Sequence, residues 1–328
     1  MMNVAMARVI MVIIILMATR SLSWSTISAK MRLQRTPHLM SPGRELFPLP
    51  LVDPETKESL KGRTRVYGFV EERFLESTDG ARYLIKPQFI DMTLEEIKKP
   101  FWEISNRERV SSRFFQNPLL STIYERGYRQ NFQNAGFPGP ELESKEAIDF
   151  FAPSGEETVV DLSCGSGFMS RLFTKSGRFG NVVSADLSPN MLEETRRRFL
   201  EEGLTPSYTV RVDSAKLPFK DASVDFLHAG AAMHCWPRLP EALSEVHRVL
   251  KPGGKFFAST FFRTIQGTPM AIKRATRGTA SNGGMYMFDD EEEINSLLSD
   301  AGFAGATGEA LVRREGRGCA IVKCTKAD

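Results

Sequence analysis

The sequence predicts an α/β fold: a mostly parallel sheet of seven strands with helices on both faces, closed by a terminal hairpin and preceded by a small N-terminal extension. Three observations predict it. From Thr158 onwards, short apolar runs alternate with segments whose apolar residues recur at helical spacing. Glycine-rich or acidic turns close the apolar runs, as at Asp161–Gly167 and Asp186. The last two apolar segments follow one another without an intervening helix.

Thr158–Ser163 (TVVDLS) reads as the first strand of the main domain, and Phe168–Lys175 as a helix with Phe168, Met169, Leu172 and Phe173 on one face. Asn181–Asp186 is the next strand. Ser188-Pro189 starts the following helix, a hydroxyl to accept orphan N–H groups and then a ring already at helical φ. Tyr208–Asp213 and Val224–Gly230 are further strands. Leu239, Leu243, Val246 and Leu250 mark a helix that Pro252-Gly253-Gly254 is expected to stop. Lys255–Phe262 is the fifth strand, Phe288–Ala301 a helix, and Ala310–Arg314 with Cys319–Cys324 the hairpin. Ahead of this domain, Phe47–Thr93 reads as short strands and turns, Leu94–Ala135 carries helical signals, and Glu141–Phe151 is a helix leading into the sheet.

Charge is unevenly placed. Residues 1–44 hold six basic residues and no acid, which leaves 37 Lys and Arg against 40 Asp and Glu in the rest of the 328-residue chain. A mildly acidic body gives no long-range attraction for nucleic acid, and the run Arg196-Arg197-Arg198 reads as a solvated helix face. Val9–Ala18 is ten apolar residues, the length of a signal-peptide core and short of the roughly 20 a membrane span needs. The Ser-, Thr- and Arg-rich stretch after it has the composition of a transit peptide. Together they read as a bipartite presequence for a plastid, with secretion as the first alternative and a retained N-terminal anchor as the second. The four cysteines form no Cys-x-x-Cys pair, so no metal site is expected.

Asp161-Leu-Ser-Cys-Gly165-Ser-Gly167 lies where a strand gives way to a helix, the edge at which ligands of open α/β sheets gather. Asp186 ends the next strand, where a carboxylate can accept both hydroxyls of a ribose. Asp213-Ser214 ends the third and can bracket an adenine. A Gly-x-Gly turn also opens the dinucleotide fingerprint, but position 170 is Ser rather than Gly, and Asp161 would repel a pyrophosphate.

In this order, Asp161-x-x-x-Gly165-x-Gly167, Asp186, Asp213-Ser214-Ala-x-Leu217-Pro218-Phe219 and Leu250-Lys-Pro-Gly-Gly254 resemble the class I S-adenosylmethionine-dependent methyltransferases, in particular the ubiquinone/menaquinone-biosynthesis type. Tyr124–Phe132, Gly136–Pro140 and His228–Pro237 resemble plant and algal chloroplast methyltransferases more closely. The resemblance covers roughly residues 45–325 and implies a Rossmann-like seven-stranded methyltransferase fold with S-adenosyl-L-methionine as cofactor. It implies that Asp161, Ser163, Gly165 and Gly167 hold the amino-acid end of the cofactor, that Leu187 and Met191 lie beside the ribose at Asp186, and that Asp213, Ser214 and Ala215 bracket the adenine. It also implies a layout: a targeting segment over 1–44, a degenerate zinc-ribbon-like segment over 45–95, a helical lid or linker over 96–140 and the methyltransferase domain over 141–328. Where related proteins open that ribbon with Cys-Pro-x-Cys, this chain has Leu49-Pro50-Leu51, which argues against zinc.

On the acceptor side, His234, Cys235 and Trp236 follow the fourth strand. His234 is the candidate base for a phenol-type oxygen, or else a polar loop histidine, and His228 reads as structural. Tyr124, Tyr128 and Arg129 form either a lid or the outer face of a packing helix. The expected partner is a small-molecule methyl acceptor, a prenylquinone-like or lipophilic aromatic compound, with peripheral membrane or lipid-body association. RNA is the alternative acceptor, and non-catalytic binding of the cofactor or a partner is the alternative function.

Overall fold

The chain divides into two compact units, Met1–Leu46 and Phe47–Asp328. The structure, a computed structural model, describes residues 47–67, 70–94, 137–262, 286, 288–303, 310–315 and 318–327. The apolar run Val9–Ala18 and the candidates Tyr124, Tyr128 and Arg129 lie outside the described residues.

The second unit begins with β1 (Lys61–Tyr67), β2 (Val70–Glu76) and β3 (Arg82–Leu84), paired antiparallel in that order as a small sheet. The main sheet is built from β4 (Ile90–Asp91), β5 (Thr158–Leu162), β6 (Asn181–Asp186), β7 (Tyr208–Arg211), β8 (Val224–Ala229), β9 (Leu250–Phe261), β10 (Ala310–Glu315) and β11 (Cys319–Thr325). Its order is β10-β11-β9-β8-β5-β6-β7-β4. Strands β5 to β9 run parallel, and β11 and β10 return antiparallel at one edge. The helices are α1 (Pro140–Phe151), α2 (Phe168–Ser176), α3 (Pro189–Glu201), α4 (Leu239–Val249) and α5 (Glu291–Leu298).

Seven of these strands are those the sequence predicts, with ends that differ by one or two residues except in β9. There, helix α4 stops at Val249, earlier than the Pro-Gly-Gly signal, and Leu250 is already extended (φ −65°, ψ 138°). Leu250, Lys251 and Pro252 therefore belong to the strand. Leu250 is fully buried and pairs with Val224, so packing at the start of β8 ends the helix before the proline does.

The central strands are apolar on both faces, as helices covering both sides of a parallel sheet require. Val159, Val160, Val183, Ala185, Leu227, Phe257 and Ala258 are all fully buried. Phe151 of α1 stacks on Phe226 of β8 at 5.0 Å, and Phe173 of α2 meets Phe179 edge-on. In α3 the Arg run is largely tied up on its own helix: Arg197 and Arg198 each reach Glu194 at 2.8 Å.

The N-terminal extension is joined to the sheet. Its strand β4, one of the short strands the sequence suggests near Phe89–Thr93, pairs parallel with β7 as an eighth strand of the main sheet, a place the sequence does not reveal. Leu51 bridges Phe219, the Val52 N–H donates to the Pro218 carbonyl at 2.8 Å, and Phe47 packs against Tyr208 and Phe219. Inside the extension, the buried Asp53 caps the turn that follows, accepting from the Glu55 and Thr56 N–H groups, and takes the Tyr83 hydroxyl at 3.0 Å. Burial beside that acid pushes the Tyr83 phenol far above its ordinary range. Leu49-Pro50-Leu51 is thus part of a packed interface with the 218–220 turn.

Candidate functional site

The turn after β5 has an unusual backbone. Ser163 (φ 59°), Gly165 (φ 56°) and Gly167 (φ 73°) all adopt left-handed conformations. At Gly167 a Cβ would sit 2.4 Å from the Thr195 methyl of α3, so only glycine lets α2 start this close to α3. The Thr195 hydroxyl ties the turn down by donating to the Gly165 carbonyl at 2.9 Å. The extension supports the same spot from outside, with Phe89 packed against Cys164 and Leu192.

Asp186, at the end of β6, is partly buried beside this turn. One oxygen accepts the Gly165 N–H at 2.9 Å and the other accepts the Ser188 N–H at 2.8 Å. Burial pushes its pKa up to about 6; the backbone donors pull the other way and the nearby Asp161 adds to the rise. It is a carboxylate fixed in direction by the main chain. Next to it Leu187 is 39% exposed, an apolar surface beside the carboxylate. Arg211 of β7 holds the Leu187 carbonyl at 2.9 Å and also binds Asp91 of β4. Met191 has its side chain buried in α3, and its N–H goes to the Ser188 cap.

Asp161 departs from its sequence reading, in which its charge faces the ligand. It is 2% exposed; one oxygen takes the Ser170 hydroxyl at 2.6 Å and the other pairs with His228 Nδ1 at 2.9 Å. Ser170, which breaks the dinucleotide fingerprint, is thus the residue that binds this acid. Burial acts to lower the His228 pKa, but Asp161 and Glu143 of α1 outweigh it and raise the group to about 9. His228 is therefore an imidazolium at neutral pH, and Asp161 is neutralised from inside the protein.

Asp213 turns back on its own loop, accepting the Ala215 N–H at 2.9 Å, and pairs with Arg238 at 2.5 Å. Ser214 is partly exposed beside it and Ala215 is buried. After β8 a short turn, Met233–Cys235, brings Trp236 back to the glycine turn, where its indole N–H donates to Ser163 Oγ at 3.0 Å. The Cys235 thiol lies close enough to Asp186 to feel its charge, and burial with that charge pushes it up to about 12. His234 is 3% exposed, 3.3 Å from the Thr260 hydroxyl and edge-on to Phe261. Burial lowers its pKa to about 4, so it is neutral and a weak base.

The structure therefore brings Ser163, Gly165, Gly167, Asp186 and Trp236 to one sheet edge. Glu143, Ser259 and Arg238 are the contributors that sequence reading misses; each is remote from its partner in the chain and belongs to no spaced motif. Ser170 is noticed in the sequence only as a break in the dinucleotide fingerprint, and its bond to Asp161 is what the structure adds.

The methyltransferase domain family matches residues 160–258, the stretch from β5 into β9. An uncharacterized chloroplastic methyltransferase of Arabidopsis thaliana is 38% identical over 67% of this chain and 62% of its own length. A ubiquinone/menaquinone biosynthesis C-methyltransferase of Chromobacterium violaceum is 30% identical over 45% of this chain and 67% of its own. Haemonchus contortus phosphoethanolamine N-methyltransferase 2, solved with phosphomonomethylethanolamine and S-adenosylhomocysteine, shares the fold at a TM-score of 0.50. That match has 16% identity over 65% of this chain and 60% of that one. The chain belongs to the S-adenosylmethionine-dependent methyltransferases. Within them it groups with the chloroplastic plant proteins and, more distantly, with the quinone-biosynthesis enzymes.

Proposed function

We propose that this protein transfers a methyl group from S-adenosylmethionine to a small lipophilic acceptor in the plastid, a prenylquinone-like or other aromatic compound. The observation that carries the reading is Asp186: a carboxylate held by two main-chain N–H groups, beside an exposed leucine and a turn that only glycine can form at Gly167. When bound, the donor supplies a methyl carbon activated by positive sulfur, and alignment with exclusion of water is the main task left to the protein.

Asp186 accepts the ribose hydroxyls with Leu187 against the sugar and base. Ser163, Gly165 and Gly167 present main-chain groups to the amino-acid end, with Asp161 shaping the turn from below. Ser214 and Ala215 face the adenine, with Asp213 and Arg238 holding their loop. Met191 supports the site from the core. On the acceptor side Trp236 closes the glycine turn. Neutral His234 faces this side as a candidate base, but burial makes it weak, so an acceptor that ionises easily would not depend on it.

The relatives' quinone-biosynthesis name and the mildly acidic body support a small molecule over RNA, and the chloroplastic names of the plant relatives support the plastid. The extension takes the place of a zinc ribbon as a metal-free support. The test is a labelled-methyl assay of the full-length chain against plastid lipid extract and ribosomal RNA. Label in a lipid-soluble aromatic is expected. Label in RNA alone, or cofactor binding with no turnover on either, contradicts the proposal.

A further inference from the structure

We propose that Glu143, His228 and Ser259 form a buried relay that fastens the loop after β8 to the glycine turn after β5, which makes them positioning residues for methyl transfer. The proposal rests on the assignment of that turn to the methyl donor.

The relay can be followed atom by atom. Ala231 starts the post-β8 loop in a left-handed conformation (φ 50°) that is strained for a non-glycine residue and needs an external hold. Its N–H donates to Ser259 Oγ at 2.8 Å. A serine hydroxyl has one proton, and Ser259 gives it to Glu143 Oε1 at 2.7 Å. That carboxylate lies 3.7 Å from His228 Nε2, a contact of charge rather than a hydrogen bond. On its other side His228 donates from Nδ1 to Asp161, two residues before Ser163.

The far end is directional too. Ser184 donates to Ser170 at 2.8 Å and Ser170 to Asp161, so Ser207, 2.6 Å from Ser184, must donate to it. The hydroxyls all point their protons towards Asp161. Asp161 from β5 and Glu143 from α1 are the charged groups facing His228. Beta strand β9 and helix α2 present Phe257, stacked at 5.8 Å, and Phe173, edge-on at 5.1 Å. In such a dry box a charge acts strongly on its neighbours. Gly230 keeps the space open: a Cβ there would lie 2.8 Å from His228 Cε1 and 3.1 Å from Glu143 Oε1. The two loops that must present donor and acceptor to each other thus share one buried cation.

Hydrogen exchange on the full-length chain tests this, with the His228 titration followed by NMR. Glu143→Gln should raise exchange about ten-fold both at Ala231 and across Ser163–Gly167, lower the His228 midpoint by at least about one pH unit, and weaken S-adenosylhomocysteine about ten-fold. Ser259→Ala should raise exchange at Ala231 and leave the His228 midpoint where it was. Should Glu143→Gln not fold, Glu143→Asp, which keeps the charge but withdraws it by one carbon, is read in the same way. Changes confined to α1, or a wild-type His228 that titrates like a free imidazole, overturn the relay. If wild type ignores S-adenosylhomocysteine while the exchange pattern holds, the donor assignment falls and the relay stands.

Discussion

Asp161 and Asp186 sit at the ends of adjacent parallel strands and look alike in sequence, yet the protein uses them in opposite ways. Asp161 is sealed in, hydrogen-bonded to Ser170 and ion-paired with His228. Asp186 is partly open, and main-chain N–H groups fix its direction. An acid with a buried cation partner serves the fold; an acid held only by N–H donors keeps lone pairs for a ligand. The difference lies in what reaches each strand end. Beta strand β8 delivers His228 beneath β5, whereas β6 ends in a turn whose amides point back at its own carboxylate.

The comparison is broken most severely at Asp161. Asp161→Asn should cost about 3–5 kcal/mol of folding stability, because it strands a buried imidazolium beside a single remaining acid, and chemical denaturation measures this. Asp186→Asn should cost less, about 1–2 kcal/mol: it removes a charge that burial disfavours, but it sets an amide NH2 against one of the two main-chain N–H groups the carboxylate accepts. The same change should weaken S-adenosylhomocysteine by at least about ten-fold through lost charged hydrogen bonds, as read by calorimetry.

The two sites also differ in sign with pH. His228 has a folded pKa of about 9 against an ordinary imidazole value of 6.5. Its contribution to stability is therefore fully present below about pH 6.5 and lost as pH rises through 9. His228→Asn should flatten that alkaline decline in thermal melting. Asp186 has a folded pKa of about 6 against 3.8. Its deprotonation costs stability as pH rises from 4 through 6, while the carboxylate it creates is the form that would accept two hydroxyls in the proposed donor site. Donor affinity should therefore climb as pH passes about 6, and Asp186→Asn should abolish the climb. The smallest effect expected is that of Trp236→Phe, which removes one neutral hydrogen bond to Ser163 and should weaken donor binding only a few-fold.

Much of the fold is legible because its signals are local. Asn181–Asp186 is bounded by its own composition, and Ser188-Pro189 announces α3, where Ser188 accepts the Met191 N–H as a cap should. What escapes sequence reading is set by distant partners. A short strand near Phe89–Thr93 is readable, but its place as an edge strand beside β7 is not. Glu143 lies in the first turn of α1, where an acid ordinarily favours the helix dipole; in this fold it is 7% exposed and bonded to Ser259 of β9. For the site, the glycine turn and Asp186 are readable from their positions after strands. The burial of Asp161 is not, because His228 lies 67 residues away and nothing in either segment marks the pair.

The distinction between the two acids is tested most directly by calorimetric titration of S-adenosylhomocysteine into the wild-type chain and Asp186→Asn, with NADH as control. Saturable heat in wild type, at least about ten-fold weaker binding in Asp186→Asn and no heat with NADH is the expected result. Equal binding by the two proteins, or binding of NADH in place of S-adenosylhomocysteine, would contradict the account.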